Sequence, residues 1–548
     1  MEGLQVEVPT SAPISPQDGA SPRVDRSRKP RVSRGLWKLC FVGLVGVILC
    51  AAIFVGHWSA LGARLMAQTS SPPTRPGLAP LLGDGTAVDW WFAFKPTTAA
   101  FPRCSTAVSC LFGGEAMPQS VEPMFGLQYI LASSFNGSTS PMQLHSDCLG
   151  NGEDPLAKTF QQVYSGQAPN FVLWNDQFYD DPDPDITPPC VKYCAKPWGH
   201  SKGLLAWDDD GTGFVLQVTT PDWPGSATSS VPRKEQGNTL GCCKDDNVLV
   251  AQHFLALRLS SAEDTLKVLK ALQRASVVTD PKNSQLMKLS GGPTNLQQAA
   301  RELGQQVLDN LEPFQTEISL RSGLQVRLIA KPSGLQVPPW HLISSLIQTP
   351  LRTATWWTVP AINSTQGGFV PGCWNASLKP SPEVQVALSG QWQGVNFTFL
   401  GRPDADANHA KLAHSLGSGP KLAVMGDMNQ QGALNPDDNP QGTCDLSQNA
   451  RGGLFFIMED ASLHADLVHL MTGETASYVS PEAEKAVDST SFSCGGRGVH
   501  WTKCGQSGRE CKYVKKADVA RCHVDGHGCY EIQQLPASCQ TEANELVT

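Results

Sequence analysis

The sequence predicts an α/β (α+β) fold assembled from two similar halves, on three observations. Short apolar runs rich in β-branched and aromatic residues recur from Val88 to about Arg258 and return from Leu324 onward. Amphipathic helical patterns are interleaved with them after Ser261. A histidine followed two places later by a lysine occurs twice, at His200-Ser201-Lys202 and His409-Ala410-Lys411, in similar surroundings. Strand and helix signals alternating in this way favour layers of sheet and helix over an all-β or all-α arrangement.

The first group of runs comprises VDWWFAF, FGLQYIL, NFVLWN, GLLAW, GFVLQVTT and NVLVAQHFLALRL. Clusters of Gly, Pro and Asp separate them, which is the pattern of strands between turns. Ser261-Ala-Glu-Asp264 then reads as a capping box ahead of a helix in which Leu266, Leu269 and Leu272 share one face. Leu296 to Phe314 predicts a second amphipathic helix, with Leu303, Val307 and Leu311 on its apolar side. LQVRLIA, EVQVAL, VNFTFL, KLAVMG and GGLFFIM bring the strand pattern back.

At 548 residues and 41% hydrophobic composition the chain can bury one large or two ordinary cores. Its net charge of -8 excludes a binder that holds nucleic acid by bulk positive charge, so any such contact is local. Residues 1–35 are rich in Pro, Ser and charge and read as a disordered tail. Leu39 to Ala63 contains no Asp, Glu, Lys or Arg, which makes 36–63 a candidate transmembrane signal anchor. Arg23, Arg26, Arg28, Lys29, Arg31, Arg34 and Lys38 precede it, so the positive-inside rule puts the N-terminus in the cytosol. The expectation is a single-pass type II membrane protein whose bulk is lumenal, in the endolysosomal system, or extracellular. A signal peptide cleaved near Ala67 is the rival reading.

Residues 64–87 read as a stalk and 88–480 as the catalytic domain, in halves of about 88–260 and 261–480. Of 17 cysteines, only Cys40 and Cys50 lie in the apolar span; the others follow it, as do sequons at Asn136, Asn363, Asn375 and Asn396. Both placements suit an oxidising compartment on the secretory route. Residues 490–548 form a basic, cysteine-rich module carrying Cys494, Cys504, Cys511, Cys522, Cys529 and Cys539. Disulfide pairing there competes with a zinc site, because His500, His523 and His527 are close by. Its basic residues read either as a grip on DNA backbone or as a solvated face.

Each His-x-Lys leads into a turn and then an apolar strand, and Thr220 and Asn429 each follow their histidine by twenty residues. On a strand, positions i and i+2 face the same way, so each unit aims an imidazole and an ammonium into one pocket. Two units facing each other suit a phosphodiester. A neutral imidazole attacks phosphorus, a protonated one gives its proton to the leaving oxygen, and the lysines with the Asn429 amide hold the remaining oxygens. Thr220 and Asp427 are supporting candidates; no metal or cofactor is needed, and histidines near pKa 6.5 suit a mildly acidic optimum. Taken singly, either tripeptide reads as an ordinary surface or core histidine; the matching context joins them. His253 reads as a buried strand histidine, and the acidic stretch Asp176 to Asp185 as a solvated loop instead of a metal site.

At these residues the chain resembles the deoxyribonuclease II family, relatives of phospholipase D. VDWWFAFK, FGLQYIL, NFVLWNDQ, GHSKGLLAWDDDGTGFVLQVTTPDWP, NHAKLAH, VMGDMNQQ and RGGLFF occur in the family's order, from about Val88 to Asp460. The resemblance implies a pseudo-two-fold sandwich in which each half gives one His-x-Lys. It also implies metal-independent cleavage of DNA to 3′-phosphates through a phosphohistidine intermediate. His200, Lys202, His409, Lys411 and Asn429 carry over as catalytic positions. Ala410 and Leu412 depart from the family's usual Ser and Trp, which puts substrate contacts there in question. The substrate partner implied is DNA; the N-terminal anchor and the cysteine-rich tail are not typical of the family, and because a two-site chain need not dimerise, a monomer tethered through one N-terminal helix is expected. A phospholipase D-like enzyme for another phosphodiester, or an inactive scaffold used for binding, are the alternatives.

Overall fold

The computed structural model describes residues 77–479, except 98, 100–110, 113–127, 136–137, 151, 179–193, 222, 232–248 and 403–405. Four strands of two or three residues between Phe492 and Tyr530 are also described. The expected tail and anchor, most of the stalk, and the side chains of the cysteine-rich module lie outside the described residues. Among the described residues no helix is long and apolar enough to cross a membrane.

Two large sheets carry the fold. The first contains β1 (Trp90–Lys95), β2 (Tyr129–Phe135), β3 (Ser138–His145), β4 (Asn170–Asn175), β5 (Lys202–Trp207), β6 (Gly213–Val218), β7 (Gln252–Leu259) and β8 (Met287–Leu289). Its order is β3-β2-β1-β7-β6-β5-β4-β8. The second contains β9 (Phe314–Ser319), β10 (Gln325–Lys331), β11 (Leu351–Ala354) and β12 (Val384–Val386). A separate hairpin, β13 (Ser389–Trp392) and β14 (Val395–Thr398), precedes its remaining strands β15 (Leu412–Ser415), β16 (Leu422–Gly426) and β17 (Gly453–Glu459). The second sheet runs β12-β11-β15-β16-β17-β10-β9. Aligned from the β8 and β12 edges, the two orders correspond, except that β8 is antiparallel to β4 where β12 is parallel to β11, and β3 is an addition to the first. The expected α+β class and two-halved plan are therefore present.

Period-two alternation explains how both faces of these sheets are covered. In β1, Trp90, Phe92 and Phe94 join the cluster that includes Val326, Leu328, Met425 and Phe456 of the second sheet. The alternate residues Trp91 and Ala93 pack outward with Leu156 and Phe160 of α1 (Pro155–Tyr164). On the other side, Ile329, Val424 and Phe455 pack outward against Trp340 and Ile343 of α4 (Pro339–Ile347). Helices α2 (Ala262–Arg274) and α5 (Ala461–Leu470) add Val268, Leu269, Leu272, Leu463 and Leu467 to the inner core.

Several expectations meet the structure at their predicted places. Ser261 caps α2, its Oγ accepting the Asp264 N–H at 3.1 Å. NFVLWN is β4 residue for residue. The boundary between halves lies later than 260, because β8 pairs with β4 and belongs to the first sheet. The helix expected over Leu296 to Phe314 is only α3 (Thr294–Arg301). Gly304, at φ +77 with Thr279 O only 2.3 Å from an ideal Cβ, turns the chain away, and Leu311 is exposed. The globular body also starts before Val88, since Leu78 and Ala79 are buried and the Leu78 N–H donates to Asp208. Leu378, Trp374 and Leu335 pack near a disulfide between Cys373 and Cys444. In the β13–β14 hairpin, Gln393 and Gly394 both take positive φ, the conformation of a two-residue turn, and leave the Asn396 sequon exposed.

Phe456 sits on β17 in the middle of the inner core and is fully buried. Phe456→Ala is expected to lower stability by about 3–5 kcal/mol, because it deletes a ring between two rigid sheets that cannot collapse around the gap. Denaturant unfolding followed by intrinsic fluorescence measures this; an unchanged midpoint would contradict the packing described.

Candidate active site

His200 and Lys202 stand at the start of β5, and His409 and Lys411 immediately before β15. The two sheets hold each other's histidine in a reciprocal way. The His200 N–H donates to Gly452 O of the second half at 2.8 Å, and the His409 N–H donates to Ala251 O of the first at 2.8 Å. The rings repeat the exchange. His200 Nδ1 lies 2.7 Å from Asp427 O, and His409 Nδ1 lies 2.8 Å from Thr219 O. A carbonyl oxygen only accepts, so each of these bonds needs Nδ1–H and leaves Nε2 of the neutral ring with its lone pair.

The ladder fixes which residues correspond. Lys202 pairs with Val218, and the Lys411 carbonyl accepts from the Gly426 N–H, so Thr219 is equivalent to Asp427. The match of Thr220 with Asn429 is therefore one residue out of register, because one turn is longer than the other. Thr220 Oγ1 and Asn429 Oδ1 are buried without a hydrogen-bond partner among the described residues. Asn429 Nδ2 donates to Gln431 Oε1 at 2.7 Å. Neither side chain bonds to the four His and Lys groups among the described residues, whereas Asp427 reaches His200 directly.

Lys202 is buried and ion-paired to Asp176, whose second oxygen receives Arg451 Nη2 at 2.7 Å. Arg451 also donates to the carbonyls of Trp198, Cys194 and Gly199, which fixes the loop entering His200. Burial pushes the Asp176 carboxyl up, but the Lys202 and Arg451 charges outweigh it and hold the group below its ordinary value. Asp176 thus corrects the expectation of a solvated acidic loop: a buried carboxylate between two cations is a structural and electrostatic part of the site. The rest of that stretch, from 179, lies outside the described residues. Asp176 and Arg451 stood inside NFVLWNDQ and RGGLFF, yet nothing in their spacing marked them as partners.

The second half breaks this symmetry. Asn175 faces Lys202 in the first sheet, and Thr355 takes the corresponding place beside Lys411, so Trp356 stands where Asp176 would. The Trp356 ring meets His409 edge to face, with centroids 5.1 Å apart. Lys411 is 1% exposed and forms no ion pair among the described residues. Its Nζ donates to His409 O at 2.6 Å and lies 3.1 Å from His409 Nδ1. The shorter contact is the hydrogen bond, since Nδ1 already gives its hydrogen to Thr219. Burial first, then repulsion from Lys202, holds the Lys411 ammonium well below its ordinary value.

Burial likewise pulls both histidines well below 6.5, reinforced at His200 by Lys202, Arg451 and Lys411 and at His409 by Lys411, Lys202 and His200. These mutual repulsions reflect four cationic or potentially cationic groups sharing one small volume. His253 is buried as expected, with Nδ1 accepting the Lys411 backbone N–H at 3.2 Å.

Two corresponding sheets packed face to face, with the two His-x-Lys units drawn together between the halves, are the architecture expected of a phospholipase D-like phosphodiester hydrolase. The family model for Deoxyribonuclease II matches residues 81–466, and the chain belongs to that family. It is a deoxyribonuclease, hydrolysing the phosphodiester bonds of DNA. No curated protein matches the chain.

Burial pushes the Asp427 carboxyl up to about 7, against the lowering effect of hydrogen bonds from Ser201, the Leu454 N–H and Gln217. Between 3.8 and about 7 the native carboxyl keeps a proton that the unfolded chain has lost. This group therefore favours folding at the acid end, and the contribution disappears as pH rises through 7. Asp427→Asn is expected to flatten the fall in melting temperature from pH 4 to pH 7 relative to the parent protein. Parallel slopes for the two proteins in thermal scans would rule out a raised Asp427.

Proposed function

We propose that this deoxyribonuclease cuts DNA at acid pH without a divalent metal, with His200 and His409 as nucleophile and general acid. Lys411 carries the reading. It is a buried ammonium beside two imidazoles with no carboxylate paired to it among the described residues. A buried cation with little local compensation is costly, and a phosphodiester anion is the ligand that offsets it.

In the reaction, one neutral histidine attacks phosphorus through Nε2. The P–O bond to the 5′-oxygen of the next nucleotide breaks, and that oxygen takes a proton from the other, protonated histidine. The DNA strand bearing the 3′-oxygen stays on the enzyme as a phosphohistidine. The second histidine, now neutral, accepts a proton from water as the water attacks phosphorus, releasing a 3′-phosphate and restoring both rings. Lys202 and Lys411 bind the non-bridging oxygens and stabilise charge in both transition states.

One histidine must enter protonated, yet burial and the lysines hold both rings well below 6.5. A bound phosphodiester adds the opposite charge and raises them, so binding and protonation assist each other, and both improve toward acid pH. The setting we propose agrees with this chemistry: a type II membrane protein, monomeric, with the nuclease body on the lumenal or extracellular side of an anchor in 36–63. The sequons and the disulfide between Cys373 and Cys444 support an oxidising compartment.

The purified protein, incubated with plasmid DNA at acid pH in excess chelator, is expected to nick and linearise it. His200→Ala and His409→Ala should each lower the rate by about 10²–10⁴-fold. Cleavage abolished by the chelator, or retained by both variants, would refute the proposal.

A further inference from the structure

The halves share a second repeated feature. β1 ends on Lys95-Pro96-Thr97 and β10 on Lys331-Pro332-Ser333. These strands hold equivalent places in the two sheets, next to β7 and β17, and both lysines are fully buried. A buried ammonium must find acceptors for its three N–H groups. Lys331 Nζ finds three backbone carbonyls, those of Asn449 at 2.7 Å, Arg451 at 2.9 Å and Pro332 at 3.3 Å. Burial draws this group down to about 7, a measure of what its enclosure costs.

The carbonyls it grips belong to the segment that assembles the first His-x-Lys unit. Arg451 turns its guanidinium to Asp176, the ion partner of Lys202, and to the carbonyls of residues leading into His200. The next carbonyl, Gly452 O, accepts the His200 N–H. No side chain fits at Gly452, where an ideal Cβ would lie 2.1 Å from Ala275 O, so the segment is pressed against the first half. Two carbonyls of one short segment thus accept from Lys331, while its guanidinium donates to Asp176, the ion partner of Lys202, and its following carbonyl accepts from His200.

We propose that Lys331 is a positioning residue for phosphodiester cleavage: by fixing the Asn449–Arg451 backbone it sets Arg451 against Asp176 and Gly452 against His200. The proposal rests on His200 and Lys202 being catalytic. Lys331 does not touch the phosphodiester. It acts through Arg451 and Gly452, and its loss leaves two buried carbonyls unsatisfied and the segment free to shift. A displacement of about 1 Å at the reacting groups costs roughly 10²-fold in rate.

The test uses the full chain with Lys331→Met, Arg451→Met and the double variant, cleaving an oligonucleotide under conditions where the parent protein is saturable. Lys331→Met is expected to lower kcat on the order of 10²-fold with KM within about two-fold, because it disturbs geometry and leaves Lys411 in place. Adding it to Arg451→Met should cost little more, since both act along one route. In parallel, the His200 ring resonance in NMR should move in Lys331→Met while that of His409 stays. Lys331→Gln, which keeps part of the donor set, serves if the methionine variant fails to fold and should shift the same resonance. Losses that multiply in the double variant, or a full kcat with an unmoved His200 signal, would overturn the proposal. If the parent protein does not cut DNA but the His200 resonance responds, the positioning link stands and the catalytic reading falls.

Discussion

Everything in the candidate active centre depends on an exchange of hydrogen bonds between the two halves. Each histidine gives its backbone N–H and its Nδ1–H to carbonyls of the opposite half: Gly452 and Asp427 for His200, Ala251 and Thr219 for His409. Backbone acceptors are positioned by the sheet ladders, so the rings inherit the rigidity of β6, β7, β16 and β17. Neither half can orient its own histidine. The site is therefore a property of the packed pair, and the inner core shared by Phe92, Leu257, Met425 and Phe456 is what keeps the exchange in register. Small residues are needed where the halves press together, as at Gly452 against Ala275.

The backbone keeps the two-fold plan closely, but the charges do not. Lys202 is balanced by Asp176, which also takes Arg451 from the other half, whereas Trp356 fills the equivalent place beside His409. Lys411 is consequently the cation with the weakest local compensation. Lys202, Arg451 and, when protonated, Lys411 face one settled carboxylate, which gives the centre a positive surplus in a chain whose net charge is -8. On the proposed function, an acidic protein would accommodate a polyanion in this way: the attraction is confined to one buried spot where low polarisability of the surroundings makes it strong.

Much of this was readable from the sequence because the fold repeats. Periodic strands such as NFVLWN and GGLFFIM, the cap at Ser261 and the twin His-x-Lys units are local signals, and local signals survive without knowledge of the partner. What escaped was non-local. Asp176 and Arg451 are separated by 275 residues, and only tertiary contact makes them a pair. β9 and β15 are short or mixed in pattern and take their strand state from the sheet they join. The twenty-residue match of Thr220 with Asn429 misled because a turn length differs, while the ladder makes Thr219 and Asp427 equivalent. The Lys-Pro repeat at Lys95 and Lys331 lay in view, but a lysine at a strand end reads as solvated until its burial is known.

The broken symmetry bears on how one centre treats a directional substrate. A DNA strand has polarity, and a phosphodiester has two ester oxygens of which only one leaves in a given cleavage. A centre with a true two-fold would bind the strand equally well in either sense, and either histidine would serve as nucleophile. Both senses would release the same product, since the rotation that reverses the strand also exchanges the two histidines. On the proposed chemistry, giving each histidine a single role requires the two ends of the centre to differ in charge or shape. Both differences are present: an ion-balanced lysine at one end, and at the other a less compensated lysine with an indole edge against its histidine. On the proposed chemistry, the departure from the two-fold at Asp176 and Trp356 is thus the feature that would fix the sense of the bound strand and separate the roles of the two histidines.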